Sequence, residues 1–277
     1  MITTSLDQPG GRRPAVLLLH SSGSSARQWD ALAKMLEPAF CVRTVEFHGH
    51  GARPGWHGDR PLTLADDAAL ALPLLQEAGA AHVVGHSYGG AVALKLATMA
   101  PQRILSLVAF EPVLFGWLIG DDPHGPLAES VIRWGEAIGR DLAQGDDAGA
   151  ARRFVDFWAG AGAWSRMPER QQRSIAGRMR AVQAHFTALC DEPMRPSDFA
   201  RLSAPMLFLA GAKTVAATRC IAGLLRRAFP SAGHHVLEAM GHMGPITHAE
   251  AVNRCIASHL MSRVDGDVPA AAARLAA

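Results

Sequence analysis

The stretch Ala81-His82-Val83-Val84-Gly85-His86-Ser87-Tyr88-Gly89-Gly90-Ala91-Val92-Ala93-Leu94 decides the fold. An apolar, β-prone run ends at Gly85, and a helical pattern runs from Gly89 to Met99. Ala100-Pro101 closes that helix, because the residue before a proline is driven out of the helical region. Between the two elements lies Gly85-His86-Ser87-Tyr88-Gly89, a G-x-S-x-G turn in a strand–turn–helix setting. A turn this sharp tolerates only small residues on either side of the serine. It presents Ser87 Oγ at a helix N-terminus, where backbone N–H groups have no intrahelical partner. The pattern points to Ser87 as a nucleophile.

Working outward, short apolar runs at Ala15–His20, Cys41–Phe47, Leu105–Phe110, Pro205–Ala210 and His235–Glu238 read as strands alongside Ala81–Gly85. Helical patterns lie between them at Ala26–Leu36, Leu64–Glu77, Gly89–Met99, Thr218–Ala228 and Ala249–Met261. This alternation predicts an α/β fold, with a mainly parallel sheet covered by helices on both faces. It fails between Val113 and Ser203, where the periodicity is helical and four tryptophans occur: Trp117, Trp134, Trp158 and Trp164. We expect residues 113–203 to form a helical cap between two parts of the core, 1–112 and 204–264. Met1–Arg13 supplies at most one edge strand, and the Ala-rich tail Asp265–Ala277 is a frayed helix or disordered.

Composition narrows the function. The 277 residues are 49% hydrophobic and 19% charged, with 27 Lys+Arg against 25 Asp+Glu. A net charge of +2 without long runs of one sign does not suit a nucleic-acid or acidic-membrane partner. Cys41, Cys190, Cys220 and Cys255 are far apart without CxxC spacing, and read as buried free thiols of a reducing compartment. No secretory apolar stretch opens the chain, and no run approaches the ~20 residues of a membrane span. A soluble, cytoplasmic protein is expected.

A serine hydroxyl needs a base. Gly241-His242-Met243-Gly244-Pro245 follows the last strand and precedes the last helix, so His242 reaches the C-terminal edge of the sheet where Ser87 sits. His48, His50 and His57 have no carboxylate or thiol at ligand-like spacing and read as loop residues, so no metal is expected. The oxyanion of an acyl transfer needs preorganised donors. The Tyr88 N–H supplies one. The loop His20-Ser21-Ser22-Gly23-Ser24-Ser25 supplies the other, with Ser22 the choice. Neither G-x-x-x-x-G-K-[ST] nor G-x-G-x-x-G is present to make that loop a phosphate cradle.

Leu17-Leu18-Leu19-His20 with its small-residue loop and Trp29, then Val45 to Gly51, then Gly85–Gly90, then Gly241-His242, resembles the α/β-hydrolase superfamily in content and order. The resemblance covers about residues 14–112 and 204–262, and the helical stretch falls where that family carries its cap. His20-Ser21 replaces the usual His-Gly, and Glu46-Phe47-His48-Gly49-His50-Gly51 replaces Asp-x-Pro-Gly-His-Gly. A third departure bears on mechanism. Most members carry the acid of the triad as Gly-x-x-Asp after the strand before the last, where this chain has Gly211-Ala212-Lys213-Thr214.

Thr214 cannot compensate an imidazolium, so the acid must come from elsewhere. Glu111 closes the strand Leu105–Phe110, and some members, including a branch of the haloalkane dehalogenases, place a glutamate there. Glu238 is the reserve candidate. The resemblance implies an ester-cleaving serine hydrolase acting on a small, largely apolar ester, lactone or thioester, without metal or organic cofactor. A C–C bond hydrolase, a cofactor-free perhydrolase, a hydroxynitrile lyase and a non-catalytic ligand-binding member are the alternatives. Ser21, Trp117, Trp134, Trp158 and Met243 are the expected pocket residues.

Overall fold

The computed structural model describes residues 13–263. The tail Asp265–Ala277 and, but for Arg13, the segment Met1–Arg13 lie outside them. Six strands, β1 (Ala15–Leu19), β2 (Cys41–Val45), β3 (Ala81–His86), β4 (Ile104–Phe110), β5 (Met206–Gly211) and β6 (Gly233–Leu237), form one sheet in the order β2-β1-β3-β4-β5-β6. Every pairing is parallel. Each expected strand is present, with ends displaced by one or two residues.

The near-continuous apolar runs are explained by burial on both faces. Leu17, Leu19, Val83, Leu107 and Ala109 pack into one core cluster, while Val16, Leu18, Val84, Val108 and Phe110 pack into another. Alternate residues along each strand serve opposite layers. The first layer is held by α2 (Leu64–Ala69), α3 (Leu72–Ala78), α4 (Tyr88–Met99) and α10 (Ala216–Ala228). The second is held by α1 (Asp30–Leu36) and α12 (Ala249–Met261), which the short α11 (Gly244–Thr247) precedes. One helix expected over Leu64–Glu77 is two. Pro73 cannot donate the backbone hydrogen bond a continuous helix needs there, and the chain turns between Ala69 and Leu72.

The chain runs from β1 to β2 in one direction, then crosses to β3 on the other side of β1. The sheet order reverses between β1 and β3, and loops at the C-terminal ends of these two strands part to leave a crevice. Ser21 and Ser22 follow β1, and Ser87 follows β3, so both enter that crevice.

The segment between β4 and β5 is helical: α5 (Phe115–Asp121), α6 (Pro126–Ala143), α7 (Asp147–Ala159), α8 (Glu169–Ala176) and α9 (Met179–Cys190). Its ends are fastened to the core. Lys95 of α4 pairs with the buried Glu192 at 2.9 Å. The Trp117 indole N–H donates to the Met194 carbonyl at 2.6 Å, and its ring packs on Phe229. Trp117 is thus a fastening and not a pocket residue, correcting the expectation above. The four cysteines are unpaired and half-buried, less enclosed than expected. Among the described residues no helix is long and apolar enough to cross a membrane.

Candidate active site

Ser87 leaves β3 with φ +57° and ψ −118°, a conformation that L-residues rarely adopt. The glycines beside it are compulsory. A Cβ on Gly85 would lie 2.3 Å from the Gly89 carbonyl oxygen, and one on Gly89 would lie 2.3 Å from the Leu19 carbonyl oxygen. The turn aims Ser87 Oγ at His242, whose Nε2 is 2.9 Å away. On the far side of the ring, Nδ1 lies 2.7 Å from Glu111 Oε2. All three side chains are buried.

Glu111 also has positive φ, at +42°, and Ser87 and Glu111 are the two non-glycine residues with positive φ among those described. The bend turns its carboxylate back toward the last two strands. The Gly211 N–H donates to Oε1 at 2.7 Å, and the Thr214 hydroxyl donates to Oε2 at 2.6 Å. Thr214, at the place where the resemblance puts an aspartate in most members, therefore bonds the Glu111 carboxylate, a contact that sequence reading did not foresee. Glu238 is not among the partners of His242.

The Tyr88 N–H is the first of α4 and has no intrahelical acceptor. In the loop after β1, the Ser21 N–H donates to Gln28 Oε1 at 3.1 Å and the Gly23 N–H donates to His50 Nε2 at 2.9 Å. The Ser22 N–H between them has no acceptor among the described residues. Gln28 extends the scaffold: its amide donates to His86 Nδ1, and the opposite edge of that ring donates to the His242 carbonyl at 2.9 Å. His86, in the variable place of the turn, thus ties the His242 loop to the Ser21 loop.

Three further side chains meet at Asp67 on α2. Its carboxylate receives the Tyr88 hydroxyl at 2.7 Å and His48 Nδ1 at 2.7 Å, and His185 Nε2 of α9 is 3.3 Å away. Burial opposes the charge of Asp67. The neighbouring His185 ring, with hydrogen bonds from His48 and Tyr88, outweighs it and holds the carboxyl below the usual carboxylate range. A signal for this cluster was present. Asp67 shares the inward face of α2 with Leu64 and Ala68, and His185 sits in the apolar stripe Val182, His185, Leu189. A polar residue in such a stripe needs a partner.

Ser22, Ser87, Tyr88, His185 and His242 line a cavity with Ser21, Trp134, Trp158 and Met243. Its remaining walls are Val113, Phe115, Phe154, Val182, Phe186 and Leu189. Trp158 stacks on His242 at 4.0 Å, shielding the imidazole from water and offering a π face to its cationic form. Ser21, Ser22, Phe154, Trp158 and Met243 also border a wider outer cleft. His57 is not among the residues lining either space, and His50 serves the Gly23 loop.

The buried imidazoles make stability depend on pH. Burial, helped by nearby histidines, pushes His50 down to about 2, and burial also holds His86 and His185 below the usual imidazole range. In the unfolded chain each titrates near ~6.5. Below that pH the unfolded state binds more protons than the folded one, so stability is full above it and is lost as the pH falls toward the folded values. Calorimetric scans should give a lower Tm at pH 5 than at pH 7.5, with proton uptake on unfolding. A flat Tm over that interval would contradict the neutral burial of these rings.

The sequence matches the alpha/beta hydrolase family over residues 16–254, and the chain belongs to that family. It is 27% identical over 249 residues to a pimeloyl-[acyl-carrier protein] methyl ester esterase of Aeromonas salmonicida, covering 87% of this chain and 92% of that protein. It is 41% identical over 110 residues to the dihydrolipoyllysine-residue acetyltransferase component of the acetoin cleaving system of Cupriavidus necator. That match covers 39% of this chain and only 29% of the relative's length. A solved hydrolase from Pseudomonas aeruginosa superposes with a TM-score of 0.72 at 27% identity, over 91% of this chain and 92% of that one.

Proposed function

We propose that this protein is a serine carboxylesterase, with Ser87 the nucleophile, His242 the base and Glu111 the acid that orients it. The observation that carries the reading is the continuous hydrogen-bonded line from Ser87 Oγ through His242 to Glu111, beside two backbone donors. Ser87 gives its proton to His242 Nε2 as Oγ attacks the ester carbonyl. The Tyr88 and Ser22 N–H groups receive the oxyanion. His242 passes the proton to the departing alkoxide, leaving an acyl-serine. Water, deprotonated by the same imidazole, then frees the acid and restores Ser87. Glu111 keeps the His242 proton on Nδ1 and balances the imidazolium.

The apolar cavity walls support a small, largely apolar acyl or alcohol group, and the name of the Aeromonas relative agrees with ester chemistry. The decisive test is turnover of p-nitrophenyl acetate and butyrate, with mass spectrometry after a serine-directed phosphonate. Turnover and one adduct on Ser87 are expected; an intact, unmodified protein without turnover would refute the reading.

Residues 113–203 act in this reading as a cap over Ser87, since Trp134, Phe154, Trp158 and His185 all come from it and all line the cavity. Amide hydrogen exchange should find the joints between α6 and α9 opening before the β1, β3 and β4 strands. Equal protection of cap and sheet would remove the case for a separately opening cap.

A further inference from the structure

The cavity holds a second serine on a second imidazole, and the mechanism above does not use that hydroxyl. Ser22 Oγ lies 2.9 Å from His185 Nδ1, and the other edge of the ring faces the buried carboxylate of Asp67. Nε2 is 3.3 Å from the Asp67 carboxylate, though not in line for a hydrogen bond to it. A proton is more stable on the ring edge nearest that negative charge, so the ring proton resides on Nε2. Burial keeps the ring neutral, leaving Nδ1 as an acceptor only. The ring is also fixed in place, stacked between Tyr88 at 3.7 Å and His50 at 4.7 Å.

The hydrogen inventory of Ser22 follows. A serine hydroxyl has one hydrogen and two lone pairs. Its hydrogen is committed to His185 Nδ1, so Oγ turns only lone pairs toward the cavity. That makes Oγ a fixed acceptor among largely apolar walls, three bonds from the N–H assigned to the oxyanion. An acceptor there repels a carbonyl or ether oxygen and attracts a hydroxyl. We propose that Ser22 Oγ recognises a hydroxyl on the carbon next to the reacting carbonyl, making 2-hydroxyacyl esters the preferred substrate class; this rests on the esterase reading above. Asp67 and His185 are positioning residues in this arrangement, since they act through Ser22.

The test compares p-nitrophenyl 2-hydroxybutyrate with p-nitrophenyl 2-methoxybutyrate. Both carry an electron-withdrawing oxygen at the same carbon, but only the first has a hydrogen to donate. The ratio of their kcat/KM values should favour the hydroxy ester by roughly five- to tenfold, the worth of one neutral hydrogen bond. Ser22→Ala keeps the backbone N–H and should bring the ratio close to that of bulk alone. A ratio near one in the wild type, or an unchanged preference in Ser22→Ala, overturns the proposal.

Titration calorimetry of Ser87→Ala with methyl 2-hydroxybutyrate and methyl 2-methoxybutyrate reads the same preference as affinity, without chemistry. Tighter binding of the hydroxy ester, lost in the double variant with Ser22→Ala, supports the proposal, and equal affinity overturns it. If the wild type cleaves neither p-nitrophenyl ester, the esterase reading fails while this comparison still decides the role of Ser22.

Discussion

Glu111→Gln should lower kcat by roughly 10²–10⁴-fold while leaving the fold intact. The hydrogen bonds decide why. Glu111 Oε1 accepts from the Gly211 N–H, and Oε2 accepts from Thr214 and faces His242 Nδ1. A glutamine has one oxygen for these two places. The backbone N–H of Gly211 cannot turn away, so the amide oxygen must stay there and the NH₂ must face His242. Nδ1 then becomes an acceptor and the ring proton moves to Nε2, where it blocks removal of the Ser87 proton. The imidazolium also loses its counter-charge. Pre-steady-state rates of p-nitrophenyl butyrate cleavage will measure the loss, and a fully active Glu111→Gln enzyme would overturn the assignment of the acid.

Thr214 gives the matching tests. Because its hydroxyl bonds the Glu111 carboxylate, Thr214→Ala should cost less than about tenfold in kcat, the scale of one supporting hydrogen bond. Adding Thr214→Asp to Glu111→Gln returns a carboxylate to within a bond or two of the lost one, and partial recovery is expected.

Ser87→Ala should remove on the order of 10⁶-fold of kcat, leaving only what the oxyanion donors and the cavity contribute. Stability should hardly change. Among the described residues Ser87 Oγ bonds His242 alone, and alanine meets the same backbone penalty at φ +57° that serine does. Circular dichroism and Tm will establish the fold, and residual turnover will be read with the same chromogenic ester. Wild-type activity in this variant would move the nucleophile elsewhere.

The architecture was legible because burial on two faces writes itself into a strand as a continuous apolar run. β1 and β3 are the clearest cases. Ser87 and His242 were legible for a related reason: a sharp turn demands glycines at Gly85 and Gly89, and a loop after a last strand has few places to go. Glu111 was reached by subtraction, and the structure brings its carboxylate to His242. The role of Thr214 was not legible, because a hydroxyl that serves another residue's carboxylate leaves no pattern of its own. Trp117 failed for the opposite reason. Helical periodicity says which face of α5 is apolar, but not whether that face meets a cavity or the core around Phe229. Asp67 and His185 lie far apart in the chain, so periodicity could mark each as anomalous without joining them.

The two positive-φ residues carry a consequence for how this enzyme can change. Each stores about 1–3 kcal/mol of backbone strain, and the sheet and its glycines hold that strain in place. Glycine at position 87 would release it, so a laboratory selection for heat resistance alone rewards the loss of the serine proposed as nucleophile. Thermostable descendants that remain active must draw their gains from elsewhere, such as the exposed surface of α8 or the edge strand β6. The turn around Ser87 is where robustness and the proposed chemistry compete.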